Sequence, residues 1–221
     1  MKKLIIAIDG PAGAGKSTIS KIIAKKLKIE FIDTGAMYRA VSLKVLQSKI
    51  DLNDEKELSK LLIDTSVDFK EGKIFLDDKD VSKEIRLPKI NDYVSEVSTK
   101  LLVRKKLVEL QRQMSQNINV IMDGRDIGTY VLKNATYKIY LTASVKERAE
   151  RRYLELKNKD IEVQYNEVYR EIEERDLKDC TRELNPLKKA DDAILINTTG
   201  KSVDMVVEEI LKIINDDKEC K

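Results

Sequence analysis

The chain has 221 residues, enough for one sizeable α/β domain, and no stretch approaches the roughly 18 apolar residues of a membrane-spanning helix. Its formal charge is +3, from 42 lysines and arginines against 39 acidic residues, so the overall balance predicts neither a nucleic-acid nor a membrane partner. The absence of histidine excludes His-based triads and His-ligated metals, and two cysteines without metal-ligand spacing favour a reducing, cytoplasmic setting.

The first pair of predicted elements encloses a phosphate-binding motif. Residues 10–17, Gly-Pro-Ala-Gly-Ala-Gly-Lys-Ser, match G-x-x-x-x-G-K-[ST] at every fixed position. An apolar strand is predicted before the motif, at residues 4–8, and an amphipathic helix after it, at residues 18–27. Such a loop cradles phosphates with its backbone N–H groups, while Lys16 reaches the β- and γ-phosphates and Ser17 binds Mg²⁺. We therefore predict an NTP site at Gly10, Pro11, Ala12, Gly13, Ala14, Gly15, Lys16, Ser17 and Thr18.

A second strand at residues 30–33 and a helix at 36–47 follow. Because ligands bind outside the carboxyl ends of parallel strands, the segment between them is expected to face the same crevice as the phosphate loop. Thr34 offers a hydroxyl there, and Arg39 could grip a phosphate with its planar fork. Taken alone, the segment is equally compatible with a helix start that carries a solvated arginine.

The middle of the chain departs from the strand–helix alternation. Residues 67–69 and 73–76 alternate apolar and polar side chains around the turn signal Glu71-Gly72. Short antiparallel strands are predicted here, within an insertion at about residues 64–86. A role for this insertion in docking a partner stays open.

An apolar strand at residues 119–122 ends at Asp123. A carboxylate in this place is typical of the Walker B pattern, in which it supports Mg²⁺. Arg125 and Asp126 follow on a glycine turn, where the arginine could hold a phosphate and the carboxylate could accept from a base amino group. The alternative is a β-turn with a surface ion pair.

The rest of the chain returns to alternating elements. Helices and strands that alternate in this way predict a parallel sheet covered on both faces. The helices are expected at 101–116, 145–156, 166–177 and 202–214, and the strands at 137–141 and 193–196.

Two groups of charged residues lie on these later helices. Arg148, Arg151 and Arg152 form a cationic patch that a closing flap could bring to a migrating phosphoryl group, or a solvated helix face. Arg175, Asp179 and Arg182 fall on one helix face at i, i+4 and i+7. Their spacing alone favours a solvated salt-bridge stripe.

These segments, in this order, resemble the bacterial-type cytidylate kinases of the nucleoside monophosphate kinase family. The specific matches are Asp-Thr-Gly-Ala-Met-Tyr-Arg at 33–39 and Asp-Gly-Arg-Asp-Ile-Gly-Thr at 123–129, supported by residues 8–17, 81–86 and Glu-Arg-Asp at 174–176. The resemblance spans nearly the whole chain. It implies one P-loop NTPase domain over 1–221, an α/β three-layer fold with a central parallel sheet. It also implies a small inserted antiparallel NMP-binding subdomain within 34–100 and a helical lid at 148–165.

The activity that the resemblance implies is transfer of the ATP γ-phosphoryl group to CMP, and to dCMP, in pyrimidine nucleotide metabolism. Mg²⁺ would accompany ATP, and the protein would act as a cytoplasmic monomer. Two other classes stay open: a P-loop kinase for UMP, AMP or a non-nucleotide metabolite, and a nucleotide-dependent switch or nucleic-acid NTPase. The last is disfavoured because the arginines cluster at cleft-forming motifs rather than on a basic surface interleaved with aromatic residues.

The resemblance also implies individual roles. Arg39 and Arg125 would hold the CMP phosphate, and Asp126 would accept from the exocyclic amine of cytosine. The full set for the acceptor is Thr34, Arg39, Ser95, Arg104, Arg125, Asp126, Arg175, Asp179 and Arg182. The groups acting on the transferring phosphoryl would be Lys16, Arg125, Arg148, Arg152 and Arg182. Ser17 and Asp123 would hold Mg²⁺, partly through water.

Thr34 stands where the family often has serine, so the hydroxyl is kept. The match at Ser95 and Arg104 rests on a helix with few distinctive residues. A shift of one turn would give the first role to Ser98. Lys105 or Lys106 would replace the arginine poorly, because lysine lacks its planar fork.

Overall fold

A computed structural model describes residues 3–70 and 72–219, and only the backbone of Asp92 and of residues 217–219. Glu71 of the predicted turn and Cys220 lie outside the described residues. The chain divides into two compact units. The first unit comprises Met1–Phe31 with Ile118–Lys221, and the second comprises Ile32–Asn117.

The elements follow one another as the sequence predicts in most places. In chain order they are β1 (Ile5–Asp9), α1 (Lys16–Leu27), β2 (Glu30–Asp33), α2 (Thr34–Ser48), α3 (Glu55–Ile63), β3 (Val67–Lys70), β4 (Lys73–Leu76), β5 (Lys79–Asp80), α4 (Pro88–Val97), α5 (Leu101–Ser115), β6 (Val120–Gly124), β7 (Tyr137–Thr142), α6 (Val145–Lys157), α7 (Tyr165–Thr181), β8 (Ile194–Asn197) and α8 (Val203–Glu219). A 3₁₀ turn at Glu84–Arg86 precedes α4, and a π-helical turn at Ile127–Val131 follows β6.

A five-stranded sheet in the order β2-β6-β1-β7-β8 forms the centre of the first unit, and the boundary between the units falls inside β2. The pairings of β1 with β6, β1 with β7, and β7 with β8 are parallel. Ile6 and Ala7 point to opposite faces of β1 and both are fully buried, so this strand is covered on both sides. The prediction of a covered parallel sheet is confirmed.

The register of β1 and β6 positions the functional residues. Asp9 lies opposite Gly124, and Ile8 lies opposite Asp123, so the two strands end together at their carboxyl ends. The loop that follows β1 and the turn that follows β6 are therefore neighbours. Apolar residues of α1 and α8 pack against the sheet, among them Ile19, Ile23, Ile210 and Ile214.

The second unit contains the predicted antiparallel insertion. Its three strands are ordered β3-β4-β5, with Val67 opposite Leu76 and Phe75 opposite Asp80. Helix α2 packs against β4, α4 and α5 and buries Met37, Ala40 and Val41. The small antiparallel sheet is thus confirmed.

Two helices of the second unit were not predicted. Helix α3 begins after Asp54, whose carboxylate accepts hydrogen bonds from Lys56 N and Glu57 N, each at 3.0 Å. Helix α4 begins at Pro88, a residue that suits the first helical position because it has no N–H to satisfy. Both helices are amphipathic but short, with nine and ten residues, so their apolar pattern repeats over fewer than three turns.

No helix in the described part of the chain is long and apolar enough to cross a membrane.

Candidate active site

The phosphate loop lies between β1 and α1 as predicted, and its backbone needs glycine. Gly10, Gly13 and Gly15 have φ of 149°, 73° and 88°. A Cβ on Gly10 would lie 2.0 Å from the Leu141 carbonyl oxygen, a distance that no side chain can adopt. Glycine therefore allows the loop to pass close to β7 and to turn with positive φ. The loop then leads into the N-terminus of α1, where backbone N–H groups are available to an anion.

Lys16 crosses the loop from the first turn of α1. The residue is only 7% exposed, and its Nζ donates a hydrogen bond of 2.7 Å to the Pro11 carbonyl. Burial lowers the pKa of Lys16, and the charge of Arg125 lowers it further, although Asp123 opposes both. An anionic phosphate placed here would relieve the repulsion between the two cations.

Ser17 and Asp123 supply a pair of oxygen atoms next to the loop. The Ser17 hydroxyl donates to Asp123 Oδ2 at 2.5 Å, and Asp123, the residue before the last one of β6, is 2% exposed. Mg²⁺ prefers oxygen ligands and is usually held by one or two carboxylates together with phosphate oxygens and water. The chemistry of this pair fits that ion.

Two ion pairs connect the turn after β6 to the end of α7. Arg125 Nε donates to Asp179 Oδ2 at 2.7 Å, and Arg182 Nη2 lies 3.3 Å from Asp126 Oδ1. Asp126 is 5% exposed, and the Arg182 side chain also donates to the Asn185 carbonyl. The structure therefore brings these charged residues together, away from bulk solvent.

The surroundings of Asp179 change its proton affinity. Burial alone would raise the pKa of this carboxyl, but the charge and hydrogen bond of Arg125 outweigh it and the net shift is downward. The residue is therefore ionised at neutral pH and paired across elements. The interpretation of Asp179 and Arg182 as a solvated stripe along one helix is wrong on two counts. Their partners lie on the β6 turn, and α7 ends at Thr181, so Arg182 lies just outside it.

Arg148 differs from the other arginines of α6 because it faces the phosphate loop. It is 4% exposed, donates to the carbonyls of Ala12 and Ala143 at 3.0 Å each, and pairs with Asp176 Oδ2 at 2.6 Å. A Cβ on Gly13 would lie 3.1 Å from the Arg148 Cβ, so the loop packs directly on this residue.

The predicted patch of three arginines on α6 does not form. Arg151 pairs with Glu147 and donates to Thr198, whereas Arg152 pairs with Glu155 at 2.9 Å. Arg148, Arg151 and Arg152 thus have three separate sets of partners. Helix geometry places the three residues on neighbouring positions of one face, but their long side chains point to different partners.

The remaining predicted acceptor residues belong to the second unit. Asp33 caps α2 by accepting from Ala36 N at 2.8 Å, and its other oxygen pairs with Arg39 Nη2 at 3.2 Å. The Arg39 Nε is buried without a hydrogen-bond partner. Thr34, the first residue of α2, is 3% exposed.

Arg104 lies beside Tyr38 and the segment that joins α4 to α5. Its guanidinium is 5.8 Å from the Tyr38 ring centre, and Nη1 donates to the Ser98 carbonyl at 3.4 Å. Ser98 in turn donates its hydroxyl to the Ser95 carbonyl at 2.9 Å. Of the two serines that the sequence offered for one role, Ser98 contacts Arg104 through its backbone carbonyl, and Ser95 is linked to it only through Ser98.

Sequence reasoning missed two acidic residues of this region. Asp9, at the end of β1, accepts hydrogen bonds from the amides of Ile127 and Gly128, and Asp176 binds Arg148. A charged residue that ends an otherwise apolar strand, directly before a phosphate loop, was the available signal for Asp9. Asp176 lies in the Glu-Arg-Asp segment at 174–176 that matched the family, but its spacing did not distinguish it from the other acidic residues of α7.

A glycine loop between a buried strand and a helix, with a lysine, a serine and a strand-end carboxylate at one edge of a parallel sheet, defines the chain as a P-loop α/β protein. A family model described as cytidylate kinase matches residues 6–216. The chain belongs to the cytidylate kinase family, and the resemblance predicted from its sequence segments is confirmed.

Curated relatives carry the same description. A cytidylate kinase from Alkaliphilus oremlandii is 53% identical, over 97% of this chain and 99% of the relative. Those from Caldicellulosiruptor saccharolyticus and Clostridioides difficile are 51% and 50% identical, over 96% and 97% of this chain and 96% and 100% of the relatives.

Solved structures support the fold alone. An uncharacterized protein from Eubacterium ventriosum has a TM-score of 0.55 at 14% identity and covers 97% of this chain and 99% of its own. A sugar kinase from Janibacter sp. has a TM-score of 0.50 at 11% identity, over 97% and 95%. The predicted α/β fold class is confirmed.

Proposed function

We propose that this protein transfers the γ-phosphoryl group of ATP to CMP, giving CDP and ADP, and that dCMP is also an acceptor. The observation that carries the proposal is the pairing of two sites at one sheet edge. The phosphate loop follows β1, and the Arg125–Asp126 turn follows the adjacent strand β6. One site suits a donor triphosphate and the other suits an acceptor with a phosphate and a base amine. Membership of the cytidylate kinase family supports CMP as that acceptor.

The donor side rests on the loop and on two oxygen ligands. Loop amides and Lys16 would bind the β- and γ-phosphates. Ser17 and Asp123 would hold Mg²⁺, because their oxygens are already within 2.5 Å of each other. When bound, the ion would neutralise phosphate charge and align the γ-phosphoryl group.

The acceptor side divides its roles between charge and base recognition. Arg125 and Arg182 would bind the CMP phosphate, and Arg175 and Asp179 would bind the sugar. Asp126 would accept a hydrogen bond from the exocyclic amine, which a uracil cannot donate. The family resemblance also assigns acceptor binding to Thr34, Arg39, Ser95 and Arg104 of the second unit. The Arg39 Nε is buried without a hydrogen-bond partner, so this donor is unsatisfied in the ligand-free chain.

The chemistry needs charge stabilisation rather than a general base. The attacking group is a phosphate oxygen that is already anionic near neutral pH. Lys16, Mg²⁺ and the arginines would offset the repulsion between two nucleotides and stabilise the transferring group. We assign acceptor binding to residues 34–100 and closure to a lid at 148–165, which would carry Arg148 and Arg152 and keep water out. A cytoplasmic monomer without nucleic-acid or membrane partners fits this activity.

The test measures ADP release from ATP·Mg²⁺ with CMP, dCMP, UMP, AMP and GMP, and without an acceptor. Fast release is expected with CMP and dCMP only. Lys16→Ala should lower kcat by about 10²- to 10³-fold, since it removes a cation from the transferring group. Lys25→Ala, an exposed lysine of the same helix, is the matched control. An equal rate of ADP release without any acceptor would overturn the kinase assignment. Faster release with another acceptor would show that CMP is not the preferred substrate.

A further inference from the structure

Asp9 is a buried carboxylate that the proposed chemistry does not use, yet it contacts the turn that carries Arg125 and Asp126. The residue is 5% exposed. Its Oδ1 accepts from Ile127 N at 2.8 Å, and its Oδ2 accepts from Gly128 N at 2.7 Å. Asp9 is also the last residue of β1, so the next residue in the chain, Gly10, opens the phosphate loop.

The two hydrogen bonds fix the turn more tightly than one bond would. Both oxygens of a single carboxylate bind successive amides, which sets the direction of that backbone as well as its distance. A Cβ on Gly128 would lie 3.3 Å from Asp9 Oδ2 and 3.2 Å from Lys138 Cδ, so the turn is packed closely against the carboxylate. The backbone of Asp9 thus leads into the phosphate loop while its side chain holds the other turn.

This arrangement has an electrostatic cost. Burial raises the pKa of Asp9 to about 6, and Asp126 adds to the shift, whereas the two amides and Lys16 lower it. A neutral side chain that filled the same space would avoid the cost of burying a charge. Asp9 is nevertheless ionised at neutral pH and accepts hydrogen bonds from two amides. This indicates that the carboxylate is needed to position the turn.

We propose that Asp9 is a positioning residue that holds the acceptor-binding turn in register with the donor phosphate loop. The inference rests on the proposed function, because it is the CMP phosphate and base that Arg125 and Asp126 would bind. In-line transfer requires acceptor and donor phosphates to meet in a narrow geometry. A displacement of about 1 Å in such a reaction can cost on the order of 10²-fold in rate.

The test is Asp9→Asn. An amide has only one oxygen, so either Ile127 or Gly128 loses its acceptor and faces an NH₂ group instead. We expect kcat/KM for CMP to fall about 10- to 100-fold, with a higher KM for CMP, a smaller preference for CMP over UMP, and a KM for ATP that changes less than about threefold. Amide hydrogen exchange at Ile127 and Gly128 should become faster in the ligand-free variant.

The matched control is Tyr137→Phe. It removes another hydrogen bond buried in the first unit, from the Tyr137 hydroxyl to the Ile214 carbonyl at 3.2 Å, without touching the turn. It should lower the Tm and leave the acceptor preference unchanged. A purely structural role for Asp9 would make the two variants behave alike.

A second variant, Gly128→Ala, keeps the inference testable if Asp9→Asn does not fold. Its Cβ would displace the same contact by a few tenths of an ångström, and we expect a smaller effect of the same sign. Unchanged KM for CMP and unchanged acceptor preference in the folded variants would overturn the inference, as would equal rises in both KM values. If the wild-type protein does not phosphorylate CMP, the proposed function fails. Hydrogen exchange at Ile127 and Gly128 then decides separately whether Asp9 holds the turn.

Discussion

At the scale of single residues, the Arg125–Asp126 turn shows how position in the fold decides which partners a side chain contacts. Asp126 and Arg125 are adjacent in sequence, but each pairs with a different residue near the C-terminal end of α7. From the sequence alone, an exposed β-turn with a surface ion pair was the alternative to a ligand site. Burial of Asp126 to 5% exposure and its place after β6 support its assignment to base recognition.

Asp126→Asn tests that assignment. An asparagine could present an NH₂ group to the base, so it would accept poorly from cytosine and could donate to the O4 of uracil. We expect the ratio of kcat/KM for CMP to that for UMP to fall by at least about tenfold, an effect of about 1.4 kcal/mol. Steady-state kinetics with both acceptors measures it. An unchanged ratio would show that Asp126 does not contact the base. The control is Asp204→Asn, which changes an exposed carboxylate of the same unit.

At the scale of elements, Arg148 links α6 and α7 to the phosphate loop. Its guanidinium donates hydrogen bonds to the Ala12 and Ala143 carbonyls and pairs with the Asp176 carboxylate at the same time. Only a planar group with several donors can satisfy partners in different directions. The position of the loop therefore depends on two helices that are distant from it in sequence.

Arg148→Lys is expected to weaken this link. The lysine ammonium cannot reach all three partners, so at least one buried acceptor loses its hydrogen bond. The free energy of unfolding should fall by about 1–3 kcal/mol, and the KM for ATP should rise more than the KM for CMP. Urea denaturation and steady-state kinetics measure the two effects. Arg170→Lys, at an exposed position on α7, should leave both unchanged, and a variant Arg148→Lys with wild-type stability would contradict the role of the guanidinium.

Elements with strong local signals could be predicted, and those specified by capping or by tertiary contacts could not. The β1–loop–α1 unit followed from an apolar run, fixed glycines and an amphipathic pattern. Helix α3 depends on its Asp54 cap and α4 on Pro88, and both signals are short. The partners of Arg148 and Asp179 lie far away in sequence, so spacing along one helix could not reveal them. Among the predicted site residues, the sequence identified types and positions, but ion pairing depends on the completed fold.

At the scale of the whole molecule, buried charge makes stability depend on pH. The pKa of Asp179 is lowered in the folded chain, so the folded state binds a proton there less readily than the unfolded state. The resulting stabilisation is complete above the ordinary carboxyl pKa. It declines as the pH falls below about 4 and is lost once the pH is below the lowered value.

Comparison with Asp179→Asn isolates this contribution. We expect the variant to be less stable than the wild type at pH 7, because Arg125, whose side chain is only 18% exposed, loses its charged partner. The difference in Tm should shrink as the pH is lowered from 5 to about 3, because the unfolded chain then binds a proton at Asp179 more readily than the folded chain does. Thermal denaturation monitored by circular dichroism at a series of pH values measures it. A difference that stays constant over this range would show that Asp179 does not contribute through its charge.

The two ion pairs between the β6 turn and the end of α7 also bear on which solutes can fill the acceptor site. In the ligand-free chain Arg125 and Arg182 already contact carboxylates, so a small anion gains little by binding them. Inorganic phosphate would have to displace an aspartate from its arginine, and it has no amine to donate to the carboxylate that is released. In the proposed binding mode CMP would bring an anion for the arginines and an amine for Asp126 in one molecule, so it could replace both kinds of partner together. The ion pairs of the ligand-free chain would therefore discriminate against inorganic phosphate and free nucleosides, because each of these carries only one of the two groups that the site would bind.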